Sequence, residues 1–179
     1  MANPLYDNLF GRHAGQTAPF LHLADGAVVS YDAFLRLTAR YAHALRGAGL
    51  APGDRLAAQV EKSPEALAVY AACVQAGIVF LPLNTGYTGD ELGYFVGDSG
   101  AKVLLCDEAK AGALQGVAER AGAVLMTLNA DGTGTLPEAA KDLPECFETT
   151  ARGTDDLAAF LYTSGTTGRS KGAMLTQTN

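Results

Sequence analysis

Residues 157–172, Leu-Ala-Ala-Phe-Leu-Tyr-Thr-Ser-Gly-Thr-Thr-Gly-Arg-Ser-Lys-Gly, hold the densest set of chemistry-bearing side chains in this sequence. An apolar run, Leu157 to Tyr162, feeds hydroxyls at Thr163, Ser164, Thr166, Thr167 and Ser170, glycines at 165, 168 and 172, and cations at Arg169 and Lys171. Phosphate binding calls for this mixture. Glycines let backbone N–H groups come close to an anion and adopt positive φ. Hydroxyls donate hydrogen bonds, and Arg and Lys supply charge. A nucleoside-triphosphatase P-loop would read G-x-x-x-x-G-K-[ST]. Counted from Gly165, the sixth position is Ser170, and Gly172 follows Lys171. Ala173-Met174-Leu175 also reads as a further apolar strand rather than as the start of a phosphate-capping helix. A plain Gly/Ser/Thr turn between two strands would share this composition.

Charge sharpens the phosphate reading. From Leu157 to Asn179 there are two bases and no acid, whereas the preceding 156 residues hold 11 bases against 19 acids. A small cationic loop on an acidic body selects a phosphorylated small molecule over a polyanion. The net charge of −6 argues against a broad nucleic-acid-binding face. Other candidates are weaker. His13, His22 and His43 stand apart from any Ser or Cys that would make a catalytic grouping. Cys73, Cys106 and Cys146 are odd in number, far apart and without a C-x-x-C pair, which argues against a disulfide framework or a zinc site and for a reducing, cytoplasmic setting. Cys73 and Cys106 read as small buried hydrophobes. Asp107-Glu108 and Asp155-Asp156 flank strands, where solvated turn acids are commoner than magnesium ligands, so no metal site and no catalytic residue is assigned.

Ten of the eleven positions of Tyr162-Thr-Ser-Gly-Thr-Thr-Gly-Arg-Ser-Lys-Gly172 fit the signature Tyr/Phe-Thr-Ser-Gly-Ser/Thr-Thr-Gly-x-Pro-Lys-Gly, with Ser170 in place of the usual Pro. Here the sequence resembles the adenylate-forming superfamily: acyl-CoA synthetases, peptide-synthetase adenylation domains and firefly-type luciferases. Val29-Ser-Tyr-Asp-Ala-Phe-Leu35 and Val74-Gln-Ala-Gly-Ile-Val-Phe-Leu-Pro-Leu-Asn84 resemble two earlier motifs of that family, in order, so the likeness covers most of the chain. Within the family, Pro82-Leu-Asn-Thr-Gly-Tyr-Thr88, Gln59-Val-Glu-Lys-Ser63 and Gly168-Arg-Ser-Lys-Gly172 are most similar to malonyl-CoA synthetases.

The resemblance implies an ATP-dependent acid–thiol ligase. ATP, with Mg2+, and a carboxylate such as malonate or methylmalonate give an acyl-adenylate and pyrophosphate; coenzyme A then displaces AMP. Carried over position by position, Thr163, Ser164, Gly165, Thr166, Thr167 and Gly168 would cradle the phosphates, with Lys171 as counter-charge and Arg169 at a variable position. Later family motifs do not occur in the sequence: the segment near adenine and magnesium, the ribose acid, the hinge and the adenylation lysine. Residues 1–179 are therefore expected to be the N-terminal part of the AMP-binding domain, without the small C-terminal domain and without activity alone. A non-catalytic pyrophosphate-binding module, or a fragment that pairs with a copy of itself through a bare sheet edge, remains a second reading.

The surrounding pattern must position this loop. Short runs of apolar and β-branched residues alternate with amphipathic segments. Strands are expected at Ala27–Ser30, Leu56–Val60, Ile78–Leu83, Lys102–Cys106, Ala123–Leu128 and Leu157–Tyr162. Ser30 caps a helix to about Ala48, with Phe34, Leu37, Tyr41, Leu45 and Ala48 on one stripe. Ser63-Pro64-Glu65 starts a helix that stops at Gly77. Thr88-x-x-Glu91 is a capping box for a helix to about Gly97, and Ala109–Ala121 is a further helix. Residues 129–153 read as a long loop around one short helix at Leu136–Lys141. Strands alternating with helices give an α/β class: a mostly parallel sheet with helices on both faces. Hydrophobic residues at 48% and charged residues at 18% exclude a disordered chain. The longest apolar run, Ala66 to Val74, is about half a membrane span.

Overall fold

The computed structural model describes residues 3–163 and 170–179. Asn3 caps α1 (Pro4–Leu9), accepting from the Tyr6 N–H, and a short 3-10 turn follows at Gly11–His13. β1 (Pro19–His22) and β2 (Val28–Ser30) form an antiparallel ribbon. The rest of the chain builds a six-stranded sheet from β3 (Arg55–Gln59), β4 (Val79–Pro82), β5 (Val103–Cys106), β6 (Val124–Thr127), β7 (Leu157–Thr163) and β8 (Lys171–Thr176). Their order is β6-β5-β3-β4-β7-β8. Every pairing is parallel except β7–β8, which is antiparallel.

The helices begin where local chemistry directs. Ser30 accepts from the Ala33 N–H at the start of α2 (Tyr31–Gly47), and Ser63 accepts from the Ala66 N–H at the start of α3 (Pro64–Ala76), with Pro64 in the first turn. Gly77, at φ 72°, ends α3 in the left-handed conformation that glycine adopts without steric penalty. Thr88 and Glu91 make both halves of the capping box of α4 (Gly89–Ser99). α5 (Glu108–Ala121) and α6 (Thr135–Ala140) complete the set.

Alternation along the strands divides the core in two. Leu56 and Ala58 of β3, with Val103 and Leu105 of β5, pack under α2, α3 and α6; Ala57, Leu104 and Cys106 point the other way, under α4 and α5. Helices therefore cover both faces, as expected. The expected stripe of α2 is the one that packs: Phe34, Tyr41 and Leu45 are buried, and Leu37 and Ala48 lie against the same core.

The N-terminal helix and β1 were not foreseen, because each is too short to show a period. The segment after α6 is a loop, as expected, but one that packs against the core. Leu143 and Phe147 pack on the core, and the Thr150 N–H donates to the Gln75 carbonyl at the foot of α3. Backbone pairing to a helix end replaces the periodicity that would have marked it. Residues 173–175 do form a strand, but it turns back antiparallel to β7.

Candidate functional site

The parallel strands β3 to β7 bring their carboxyl ends, Gln59, Pro82, Cys106, Thr127 and Thr163, to one edge of the sheet. In open α/β sheets ligands bind outside that edge, where the chain reverses its direction of travel across the sheet. Here the reversal falls at β3: α3 leads to β4 on one side, and α4, on the opposite face, leads back to β5 on the other. The crevice at β3 is closed by side chains. The fully buried Gln59 donates through Nε2 to the carbonyls of Asn84 (2.8 Å) and Tyr87 (3.0 Å). Lys110 Nζ donates to the Thr85 carbonyl (2.7 Å) and lies 3.4 Å from Gln59 Oε1. These bonds pin residues 84–87 across the end of β3; on one side of them the edge opens into a cavity lined by Glu108, Thr127 and Thr135, and on the other it continues toward β7.

β7 and β8 supply that part. Thr163 and Lys171 are register partners, both exposed, so the two residues face each other across the end of the hairpin. Thr163 Oγ1 lies 3.4 Å from the Lys171 carbonyl. Ser164, Gly165, Thr166, Thr167 and Gly168, the rest of the expected cradle, and Arg169 lie outside the described residues. Gly172 has a packing reason to be glycine: a Cβ there would meet the Phe160 ring at 2.8 Å. The hairpin leans on α4 through rings. Tyr162 packs against Phe95 at 4.5 Å and Tyr94 at 6.1 Å, and Tyr87 reaches Phe95 at 4.9 Å. The Tyr162 hydroxyl donates to Asp98 Oδ2 (2.6 Å), and the Tyr94 hydroxyl donates to the Ser170 carbonyl (3.2 Å). Burial, then the bond to Asp98 and its charge, push the Tyr162 phenol well above its ordinary pKa, so it stays a donor.

The remaining sequence candidates have structural surroundings. His13 stacks on Tyr31 at 4.1 Å, and His43 meets the edge of Phe147 and pairs with the Cys146 carbonyl at 2.8 Å. Cys73 and Cys106 are fully buried; desolvation pushes both thiols up, that of Cys106 to about 11, which makes them poor nucleophiles. Asp156 accepts from the Gly153 N–H at 2.7 Å, the geometry of a turn acid. Among the described residues no group of three His, Cys, Asp or Glu could hold a metal, and no helix is long and apolar enough to cross a membrane.

Residues 10–179 match the family described as AMP-binding enzyme. The chain belongs to that family. Among curated relatives, the feruloyl-CoA synthase of Amycolatopsis sp is 40% identical over 154 residues, which is 86% of this chain and 29% of the relative. The long-chain-fatty-acid–CoA ligase FadD13 of Mycobacterium tuberculosis is 33% identical over 154 residues, 83% of this chain and 29% of the relative. Among solved structures, ATP-bound MatB from Rhodopseudomonas palustris superposes with a TM-score of 0.94 at 47% identity, covering 99% of this chain and 35% of MatB. The chain thus spans about a third of the length of these AMP-binding relatives and has the architecture of their N-terminal region.

Gln59, Lys110, Tyr94 and Asp98 were not assigned a role from sequence. Tyr94 and Asp98 sit one turn apart and share a helix face, but nothing local told that face from any other amphipathic surface.

Proposed function

We propose that the segment from Thr163 to Lys171 holds the ATP phosphates in an AMP-forming acyl-CoA ligase, and that residues 1–179 are the N-terminal part of its AMP-binding domain. In this reading Thr163, Ser164, Gly165, Thr166, Thr167 and Gly168 donate to the β- and γ-phosphates and then to the leaving pyrophosphate, with Lys171 as their counter-charge. The observation that carries it is the register pairing of Thr163 with Lys171 at the carboxyl end of β7, on the sheet edge where ligands of this architecture bind.

The chemistry has two balanced steps. A carboxylate oxygen attacks the α-phosphorus of ATP; the bond to the pyrophosphate oxygen breaks, and the electron pair leaves on pyrophosphate. The coenzyme A thiolate then attacks the acyl carbon, and AMP departs with the pair from the C–O bond. Magnesium enters as part of the ATP complex. The chain's own contribution is to bind and orient the phosphates. A hydrogen bond to a charged group is worth about 1.5–3 kcal/mol net, so the cradle's several donors would act together with Lys171.

The proposed acid is malonate or methylmalonate. Support comes from the stretches Pro82–Thr88, Gln59–Ser63 and Gly168–Gly172 and from the 47% identity to MatB. The 40% identity to feruloyl-CoA synthase supports ferulate as the competing substrate. Calorimetric titration of the 179-residue chain with Mg·ATP and with pyrophosphate is expected to give saturable heat; no heat up to millimolar ligand would overturn the phosphate reading. Carboxylate-dependent ATP–pyrophosphate exchange by the same chain is expected to stay at the level of a Lys171→Ala control, since no residue here is assigned to drive adenylation. The whole enzyme carrying these residues is expected to release AMP with malonate in preference to ferulate or a long-chain fatty acid; the opposite preference overturns the substrate.

One observation favours a secondary role. β8 is an edge strand whose Met174 is 62% exposed, and Leu161 of β7 is 37% exposed. An apolar edge of this kind pairs with whatever strand reaches it. Self-association of the isolated chain follows, and a monodisperse monomer by light scattering at high concentration would contradict it.

A further inference from the structure

We propose that Tyr94, Asp98 and Tyr162 are positioning residues that lock the register of the β7–β8 hairpin and so keep Lys171 beside Thr163; the consequence for ligand binding rests on the phosphate reading above. β8 gains its ladder from β7 alone among the described residues, and its outer side is open. The ladder carries an irregularity between Leu157 and Ala159, at the end away from the site. β8 buries none of its residues from Lys171 to Met174 and contains Gly172, so its own side chains specify register weakly, and a slip of one residue sends every side chain to the opposite face. For β8 that slip would carry Lys171 away from Thr163 and put Ser170 or Gly172 in its place.

α4 bears on both strands at the end where slippage matters. On the outgoing strand, Asp98 accepts from the Tyr162 hydroxyl at 2.6 Å. On the returning strand, the Tyr94 hydroxyl donates to the Ser170 carbonyl at 3.2 Å, one residue before Lys171. Because Tyr94 and Asp98 lie one turn apart on the same helix, the two bonds are referred to one rigid body. That body is itself fixed: Leu92, Phe95 and Val96 bury its inner face, and the capping box sets its start. The bond to Ser170 falls on a carbonyl rather than on a side chain, so it senses backbone position and therefore register. The Phe95–Tyr162 contact at 4.5 Å holds the ring from which the second bond is made.

The test uses the 179-residue chain with Tyr94→Phe and Tyr162→Phe, which remove the hydroxyls that donate to Ser170 and to Asp98 and keep the rings. Without ligand, trypsin cleavage after Arg169 and Lys171 is expected to quicken about five- to tenfold in each variant, the scale of one hydrogen bond. Cleavage after Arg46 and Lys102 should stay at the wild-type rate. A uniform rise at all four sites signals general loosening and overturns a positioning role, as does an unchanged rate at Arg169 and Lys171. With Mg·pyrophosphate as the probe, each variant is expected to bind about five- to tenfold more weakly. In a Lys171→Ala background the Tyr94→Phe loss should shrink below about twofold, because neighbours that act as a unit are non-additive. Full additivity overturns the coupling. If the wild-type chain binds no pyrophosphate, the phosphate reading falls while the cleavage pattern still decides the register lock.

Discussion

β5 and β8 belong to the same sheet and have opposite surroundings. All four residues of β5 are fully buried, between β3 and β6 and beneath helices on both faces. No residue of β8 from Lys171 to Met174 is buried, and among the described residues the strand has a neighbour on one side only. The helix-covered strands hold the fold together, and Thr163 and Lys171, the described members of the proposed phosphate site, stand where that cover runs out. A ligand as polar as a triphosphate needs such a place, because donors closed into an apolar core would be satisfied by the protein itself or would destabilise it.

The contrast is broken most sharply by truncating one side chain in each region. Leu104→Ala, in the middle of β5, is expected to cost about 2–5 kcal/mol, measured by the urea midpoint. Leu161→Ala, which is 37% exposed on β7, is expected to cost about 1 kcal/mol or less. Comparable losses would show that the hairpin is as much a part of the stabilising core as β5.

Lys171→Ala sharpens the division from the other side. Pyrophosphate affinity should fall about ten- to hundredfold, from the loss of a charge-assisted bond, while the urea midpoint stays unchanged because the side chain is exposed. A shift in the midpoint without a loss of affinity would reverse the assignment.

A smaller effect is expected at high pH. Burial, then the charge of Asp7, raise the Tyr6 phenol to about 12 from its ordinary 10.0. The folded state favours the neutral phenol, so this stability is complete below pH 10 and is lost as pH rises from 10 toward 12. Tyr6→Phe is therefore expected to flatten the alkaline fall of the melting midpoint. Because Tyr6, on α1, packs in the core with α2 and α3, the change should leave trypsin cleavage after Lys171 untouched.

What the sequence revealed follows the range of the forces involved. Caps act over three residues, so Ser30, Ser63 and the Thr88–Glu91 pair could be read directly and form as expected. The α2 stripe is likewise a local period. The residues of the loop were legible by composition and by family likeness, and the placement of Thr163 and Lys171 on the carboxyl edge agrees with the parallel order inferred from alternating elements. The contacts from α4 were not legible. Tyr94 and Ser170 are 76 residues apart, and Asp98 and Tyr162 are 64 apart. Only the placement of β7 beside β4, with α4 packed across that face, brings them together. The packing of Phe147 was hidden for the same reason, since a single aromatic in an irregular stretch carries no period.

Amide hydrogen exchange of the chain with and without saturating Mg·pyrophosphate tests the central claim most directly, because it reports where the ligand acts. Protection is expected at residues 163–172, with the amides of β3, β5 and β6 unchanged. Protection confined to the helix-covered strands, or none at 163–172 at a concentration that saturates calorimetric binding, would contradict the assignment of the hairpin as the phosphate site.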